Sequence, residues 1–207
     1  MPESVEKTPL AEDQAVGATA LLIIDMLNGW DFADADAYLA GAEAIAPRIA
    51  ALAQRCRAAG VPVIFANDNH GRWRSDFREV VAMAMKADAA GARIARQLTP
   101  KRQDYFVLKP KHSGFHATPL DLLLRHLGVR TLVITGVSSD QCVLYTTADA
   151  RMHDYEVKVP PDCVATRSDE RNTAAIRHFA DVLGVEVTRS TELALPSRSD
   201  GGAPARR

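Results

Sequence analysis

The sequence has no surplus of charge of either sign, since 25 lysines and arginines face 26 aspartates and glutamates. A nucleic-acid-binding domain usually carries a basic excess, so that class is not favoured. Long apolar runs are also absent: the longest, such as Ala20–Ile24 and Thr131–Val137, are too short to span a bilayer. No basic segment followed by an apolar stretch opens the chain, and we expect no secretory signal.

Cysteine is scarce as well, with Cys56, Cys142 and Cys163 the only three. An odd and widely spaced set fits neither a disulfide framework nor a zinc ribbon, so we expect a reduced, cytoplasmic protein. What the chain does have is 47% hydrophobic residues over 207 positions, enough to bury the core of one domain.

The two ends of the chain differ from the middle. Residues 1–17 and 196–207 are rich in proline, glycine, serine and charge, which is typical of termini that pack little. We therefore expect an N-terminal extension over 1–17, one domain over 18–195 and a flexible tail over 196–207.

Within this domain, short apolar runs alternate with helical patterns. The predicted strands are Thr19–Asp25, Val61–Asn67, Asp104–Leu108, Arg130–Val137, Tyr155–Pro160 and Val185–Thr188. The predicted helices are Ala37–Ala59, Phe77–Met85, Pro119–Leu127, Cys142–His153 and Ser168–Leu183. Near-continuous apolar runs indicate strands buried on both faces, and the alternation indicates parallel pairing. The pattern predicts a Rossmann-like three-layer α/β/α sandwich with a mainly parallel six-stranded sheet.

Three chemically reactive side chains follow three of these strands. Asp25 ends the first strand, Lys109 follows the third, and Cys142 begins the helix after the fourth. In a parallel sheet such positions share one edge, where ligands usually bind. A helix start and a nearby ammonium lower the pKa of a thiol, and a carboxylate accepts its proton, so the set predicts an activated nucleophile. Cys56 and Cys163 have no such setting, and we expect both to be structural.

Three motifs, in this order, resemble the isochorismatase-like superfamily of cysteine hydrolases: LLIIDMLN over Leu21–Asn28, KPKHSGF over Lys109–Phe115 and TGVSSDQCV over Thr135–Val143. This superfamily includes nicotinamidases, N-carbamoylsarcosine amidohydrolases, ureidoacrylate amidohydrolases and biuret hydrolases. The resemblance extends over about residues 18–190.

The resemblance implies a mechanism. It implies a catalytic triad of Asp25, Lys109 and Cys142, a cis peptide bond between Val137 and Ser138, and an oxyanion hole made by the backbone N–H groups of Ser138 and Cys142. In the implied reaction Cys142 gives its proton to Asp25 and attacks an amide or ureido carbonyl, and water then hydrolyses the thioester. The resemblance implies a small-molecule substrate, no cofactor, and a homodimer or homotetramer. The balanced charge and the short apolar runs predict no nucleic-acid or membrane partner.

The sequence departs from the family pattern around the expected pocket. Leu27 and Trp30 stand where the family often has a glutamine and a phenylalanine after its first strand. Asp68 and His70 match part of the metal-binding set of nicotinamidases, but no further histidine follows in this region. We therefore predict that no metal is bound, which argues against a nicotinamidase.

Aromatic side chains near the predicted strand ends are expected to contact the substrate, namely Trp30, Trp73 and Phe115. Arg72 and Arg74 offer guanidinium groups for a substrate carboxylate, although a solvated surface position is slightly favoured. We expect the His112 ring to form its hydrogen bonds within the protein or to face solvent, and not to act as a second base.

Two alternatives stay open: a vinyl ether hydrolase of the isochorismatase type, which needs an acid and no thiol, and a non-catalytic binding descendant of the family. Other classes are disfavoured. Signalling receiver domains carry a pair of acids at the end of the first strand, but here Ile24 precedes Asp25. Asp-x-Asp phosphatases need an acid at position 27, which is a leucine. Nucleotide-binding dehydrogenases need a Gly-x-Gly-x-x-Gly motif after a strand, and the sequence has none.

Overall fold

The computed structural model of the chain describes residues 18–69, 71, 73–74 and 76–196. The predicted extension over 1–17 and nearly all of the predicted tail over 196–207 lie outside these residues. The strands are β1 Thr19–Ile24, β2 Val63–Asp68, β3 Tyr105–Lys109, β4 Thr131–Val137, β5 Glu156–Lys158 and β6 Val164–Ala165. The helices are α1 Ala35–Ala59, α2 Phe77–Ala84, α3 Ala92–Gln97, α4 Leu120–His126, α5 Cys142–Met152 and α6 Asp169–Asp181, and a 3-10 turn covers Pro161–Cys163.

All six strands pair in parallel in one sheet. The order is β3-β2-β1-β4-β5, and β6 pairs with the end of β4. The predicted α/β architecture with a six-stranded sheet is confirmed. The crossover helices place the carboxyl ends of β1, β2, β3 and β4 at one edge of the sheet.

One predicted strand is wrong. Val185–Thr188 forms a single isolated bridge, between Lys158 and Glu186, and the sixth strand is Val164–Ala165. The physical reason is that Pro160 and Pro161 follow β5, and proline has no N–H to continue a ladder. Pairing with the segment around Glu186 therefore stops after one bridge.

The sheet separates two apolar cores, as a three-layer sandwich requires. Alternate β1 side chains point to opposite faces: Leu21 and Ile23 join the core with α1 and α3, while Leu22 and Ile24 join the core with α4 and α6. Every residue of β1 is buried. Within the described part of the chain, no helix combines the length and apolarity needed to cross a bilayer.

Gly136 lies opposite Ile24 in the sheet, where there is no room for a side chain. Its φ of 112° lies in a region that side chains disfavour, and an added Cβ would overlap the carbonyl oxygen of Ile24 and lie 2.8 Å from the Ile24 nitrogen. The overlap is with backbone at the centre of the sheet, which cannot move aside.

We therefore expect Gly136→Ala to lower the free energy of unfolding by about 3 kcal/mol or more, measured by urea titration. Gly184→Ala is the matched control, because Gly184 also has positive φ, 60°, but an added Cβ would meet nothing within 4 Å. Its expected cost is about 1 kcal/mol. Equal losses in the two variants would contradict the assignment of the cost to the contact with Ile24.

Candidate active site

The structure brings Asp25, Lys109 and Cys142 together at the carboxyl edge of the sheet. The Lys109 ammonium lies 2.8 Å from Oδ2 of Asp25 and 3.5 Å from Sγ of Cys142. The other carboxylate oxygen, Oδ1, accepts a 2.7 Å hydrogen bond from the backbone N–H of Asp68. Carboxylate, ammonium and thiol thus form one contact network, held on one side by β2.

Lys109 is completely buried, yet it keeps its charge. Burial disfavours the ammonium, but the negative charge of Asp25, with a smaller contribution from Asp68, outweighs burial and raises the pKa of Lys109 to about 12. A fixed cation therefore lies between the carboxylate and the sulfur at any physiological pH.

The Cys142 thiol does not have the lowered pKa that its position at a helix start predicts. Burial raises the pKa of this thiol, the charge of Asp25 raises it further, and Lys109 opposes them only in part. The expectation of a lowered pKa is wrong because it ignored burial and the sign of the neighbouring carboxylate. In the protein without substrate, Cys142 is therefore a neutral thiol beside the Asp25 carboxylate and not a preformed thiolate.

The other two cysteines differ from Cys142 in access. Cys56 and Cys163 are fully buried, and burial raises the pKa of each thiol to about 12. Cys142 is partly exposed and lines a cavity. Both buried cysteines therefore have the packing role expected for them.

The loop between β4 and α5 carries the predicted oxyanion donors. The peptide bond between Val137 and Ser138 is cis, as the resemblance implies. The carbonyl oxygen of Ser138 accepts hydrogen bonds from the N–H groups of Gln141 and Val143, both at 3.1 Å. Among the described residues, no acceptor takes the N–H of Ser138 or Cys142, and both residues line the cavity.

Asp140 fastens this loop to α6 and β6. Its carboxylate accepts 2.6 Å hydrogen bonds from Thr166 Oγ1 and Arg171 Nε. Burial alone would raise the pKa of Asp140, but these two hydrogen bonds and the charge of Arg171 outweigh burial and hold the pKa below its usual value. The backbone of Ser139 also donates to the Ala165 carbonyl at 2.8 Å. Sequence reasoning gave Asp140 no role, because its partners lie 26 and 31 residues further along the chain.

A cavity of about 340 Å³ opens beside this network and is lined by Asp25, Cys142 and Ser138 together with the rings of Trp30, Phe32 and Tyr38. Trp30 is the one member of the predicted aromatic trio that lies there. Trp73 is 80% exposed, in the segment before α2, and faces solvent. Phe115 is buried against His153 and Tyr155, with ring centroids 5.0 and 5.9 Å from theirs, and does not line the cavity. The structure therefore does not bring Trp73 and Phe115 to the cavity.

His112 lies nearer the nucleophile than the sequence indicates. Its Nδ1 is 3.6 Å from Sγ of Cys142, and its ring stacks on Tyr145 at a centroid distance of 5.6 Å. The expectation of a merely satisfied or exposed histidine misses this contact. The available signal was only its position three residues after Lys109, which does not set the direction of a side chain in a loop.

The pair Asp68 and His70, considered as metal ligands, is described only in part. Asp68 lies 3.7 Å from the Lys109 ammonium, and His70 lies outside the described residues. The described part of the chain contains no group of three or more histidine, cysteine, aspartate or glutamate side chains arranged to hold a metal ion. Of the two arginines considered for a substrate carboxylate, Arg74 is exposed and Arg72 is outside the described residues.

Gly91 leaves the space into which the Trp30 indole packs. A Cβ at this position would overlap Cδ1 of Trp30, lie 2.5 Å from its Nε1 and lie 2.7 Å from the Asn28 carbonyl oxygen. The position of the indole in the cavity wall therefore depends on the absence of a side chain at residue 91.

We expect Gly91→Ala to displace the indole and to raise KM about tenfold, the equivalent of about 1.4 kcal/mol of binding, with a smaller effect on kcat. The tryptophan emission spectrum gives a second readout, since Trp30 is buried and Trp73, the other tryptophan, is exposed. Gly128→Ala serves as control: the positive φ of Gly128, 69°, costs this variant some stability, but an added Cβ there would meet nothing within 4 Å and so leaves the indole in place. An unchanged emission spectrum and KM would show that the wall does not depend on Gly91.

Comparison with known proteins places this geometry in a family. The family model described as the Isochorismatase domain matches residues 19–192. The uncharacterized isochorismatase family protein YaaI of Bacillus subtilis is 36% identical over 174 residues, which cover 84% of this chain and 95% of that protein. An Arabidopsis thaliana protein with the name "probable inactive nicotinamidase" is 32% identical, over 79% of this chain and 89% of its own length.

A solved structure shares the fold. The crystal structure of N-carbamoylsarcosine amidase from Thermoplasma acidophilum superimposes with a TM-score of 0.64 at 31% identity, covering 86% of this chain and 99% of that one. The model match covers most of the chain, and its limits enclose Asp25, Lys109 and Cys142. The chain therefore belongs to the isochorismatase family.

Proposed function

We propose that the protein hydrolyses the carbon–nitrogen bond of a small amide or ureido compound through a thioester on Cys142. The observation that carries this proposal is the position of the Lys109 ammonium, in contact with both the Asp25 carboxylate and the Cys142 sulfur. The family includes amidases that act on such bonds, N-carbamoylsarcosine amidase among them. In the same proposal the triad is Asp25, Lys109 and Cys142.

In the first half of the reaction, Asp25 accepts the thiol proton as Cys142 attacks the substrate carbonyl carbon. The carbonyl oxygen becomes an oxyanion that accepts hydrogen bonds from the free N–H groups of Ser138 and Cys142. Asp25 then returns the proton to the leaving nitrogen, the carbon–nitrogen bond breaks, and ammonia or an amine departs from an acyl thioester.

In the second half, water replaces the departed amine. Asp25 accepts a proton from the water as its oxygen attacks the thioester carbonyl, and the same N–H groups hold the new oxyanion. The carbon–sulfur bond then breaks, the thiol regains the proton, and the acid product leaves. Lys109 keeps a positive charge beside the sulfur and the carboxylate through both halves, which offsets the charge that develops there.

A vinyl ether hydrolase needs an acid but no thiol, so it gives the contact between Lys109 and the Cys142 sulfur no role. No observation in the described residues favours it over amide hydrolysis. The cytoplasmic location and the homodimeric or homotetrameric state remain predictions.

The proposal is tested by an ammonia-release screen over nicotinamide, biuret, N-carbamoyl amino acids, ureidoacrylate and simple aliphatic amides. We expect wild-type protein to release ammonia from at least one of these compounds. Absence of release from every compound would contradict the proposed activity and would favour a binding-only member of the family.

The raised pKa of Cys142 predicts a specific pH dependence of alkylation. Because the thiol pKa lies above its usual value, the thiolate fraction is very small at neutral pH and grows as the pH rises. We expect the iodoacetamide labelling rate to be slow at pH 7 and still rising above pH 9, measured by intact mass. Cys56 and Cys163 are fully buried and provide an internal control. A rate that is already at its plateau at pH 7 would contradict the raised pKa.

A further inference from the structure

Three aromatic rings form a contiguous group in the wall of the cavity. Trp30 and Phe32 have ring centroids 5.9 Å apart, and Phe32 and Tyr38 have centroids 6.3 Å apart. The interplanar angles are 36° and 53°, so the rings do not cover one another's faces by stacking. Phe32 is 42% exposed. These three residues, the aromatic cluster, thus offer ring surface to whatever enters the cavity.

A carboxylate stands in the same wall. Asp34 is exposed to solvent and lines the cavity; it precedes α1 with a φ of 62°, and its side chain does not cap the helix. Among the described residues, no group donates a hydrogen bond to this carboxylate or forms an ion pair with it. An aspartate at a helix start usually accepts a hydrogen bond from the first turn, so the Asp34 carboxylate remains available to a ligand.

Lysine and arginine are missing from the described lining of the cavity. Lys109 is buried behind it in contact with Asp25, and the histidine of the lining, His112, lies against Sγ of Cys142. One guanidinium group, that of Arg167, lies outside the lining with its Cζ 5.9 Å from the Tyr38 ring centroid. The Tyr38 ring therefore already has one cation beside it.

We propose that this wall is the subsite for a cationic group, so that the preferred substrate is an amide or ureido compound that also carries an ammonium or guanidinium group. The cation would lie between the Asp34 carboxylate and the aromatic cluster, where it gains an ion pair and cation–π contacts. A substrate carboxylate at the same place would face Asp34 without a partner. The inference rests on the proposed function, because it places the reacting carbonyl at Cys142, and it adds the substrate class.

The test uses three amides of similar length that differ in the distal group: β-alaninamide with an ammonium, butyramide with a methyl group and the succinamate anion. Ammonia release at neutral pH gives kcat/KM for each amide with wild type, Asp34→Asn and Asp36→Asn. Asp36 is the matched control, since it is, like Asp34, an exposed acid at the start of α1, but it does not line the cavity. Protection of Cys142 from iodoacetamide by propylammonium, propanol and propionate measures the subsite without turnover.

We expect wild type to prefer β-alaninamide over butyramide by about tenfold, with succinamate the poorest substrate. Asp34→Asn should reduce this ratio to about threefold, the share left by the cation–π contacts, while Asp36→Asn should keep it at about tenfold. Propylammonium alone should protect Cys142. A preference for the neutral or anionic amide, or equal ratios in the two variants, would overturn the cationic subsite. If no amide is hydrolysed but propylammonium still protects Cys142, the proposed activity fails and the cationic subsite stands. If no amide is hydrolysed and propylammonium does not protect Cys142, the subsite fails too.

Discussion

Cys142→Ala is expected to remove ammonia release altogether, a loss of about 10⁴-fold or more in kcat. No other thiol can replace it, because Cys56 and Cys163 are fully buried away from the cavity. The loss is expected without a loss of fold, since the side chain is small and partly exposed. The thermal midpoint should therefore change by only a few degrees.

Cys142→Ser is the companion variant, because it keeps a hydroxyl at almost the same place. A hydroxyl beside Asp25 is a much weaker nucleophile than a thiol, so we expect this variant to be inactive as well. Ammonia release within about tenfold of wild type in either variant would show that the sulfur does not form the covalent intermediate.

Asp25→Asn is expected to change two rates in opposite directions. Turnover should fall by about 10³-fold or more, because the asparagine side chain can neither accept the thiol proton nor return it to the leaving nitrogen of the substrate. The alkylation rate of Cys142 near pH 8 should rise, because the charge of Asp25 raises the thiol pKa and the variant removes that charge while Lys109 remains. A merely structural role for Asp25 would slow both reactions or neither.

Asp68→Asn is the matched control for this prediction. Asp68 also carries a carboxylate close to the Lys109 ammonium, at 3.7 Å, but its contribution to the pKa of that group is smaller than that of Asp25. We expect a modest fall in turnover and little change in the alkylation rate. Equal behaviour of the two variants would contradict the assignment of the base to Asp25.

Asp25→Asn should also destabilise the protein, with a definite pH range. The pKa of Lys109 rises on folding from 10.5 to about 12, so its contribution to stability is fully present below pH 10.5 and is lost as the pH rises through about 12. Removal of Asp25 takes away the main partner of a buried cation. The stability loss relative to wild type should therefore be constant at neutral pH and should shrink above about pH 11.

Much of the sheet follows from local pattern. β1 and β4 match their predicted limits to within one residue, because both are apolar runs buried on two faces and ended by a residue of different character. The wrongly predicted strand at Val185–Thr188 shows where local pattern fails. The segment contains apolar residues, but strand formation also depends on whether the neighbouring β5 can continue its ladder of hydrogen bonds. The two-residue β6 exists only because Gly136 and Val137 offer it a partner.

The same distinction holds for the site. Asp25, Lys109 and Cys142 could be placed at one edge because the end of each strand is marked in the sequence. The direction of the Cys142 pKa shift could not be predicted from the sequence, since it depends on burial and on which neighbouring charge dominates after folding. The cavity wall was missed for a related reason: Phe32 and Asp34 lie in the loop before α1, where no periodicity fixes the direction of side chains.

The covalent thioester is tested most directly by partitioning with hydroxylamine, using an amide that the ammonia screen identifies. Hydroxylamine competes with water for a thioester and converts it to a hydroxamate, whether or not the intermediate accumulates. We predict that wild type forms the hydroxamate in proportion to hydroxylamine concentration while ammonia is released, and that Cys142→Ala forms none. Release of the free acid alone at every hydroxylamine concentration, or equal hydroxamate formation by Cys142→Ala, would contradict the account.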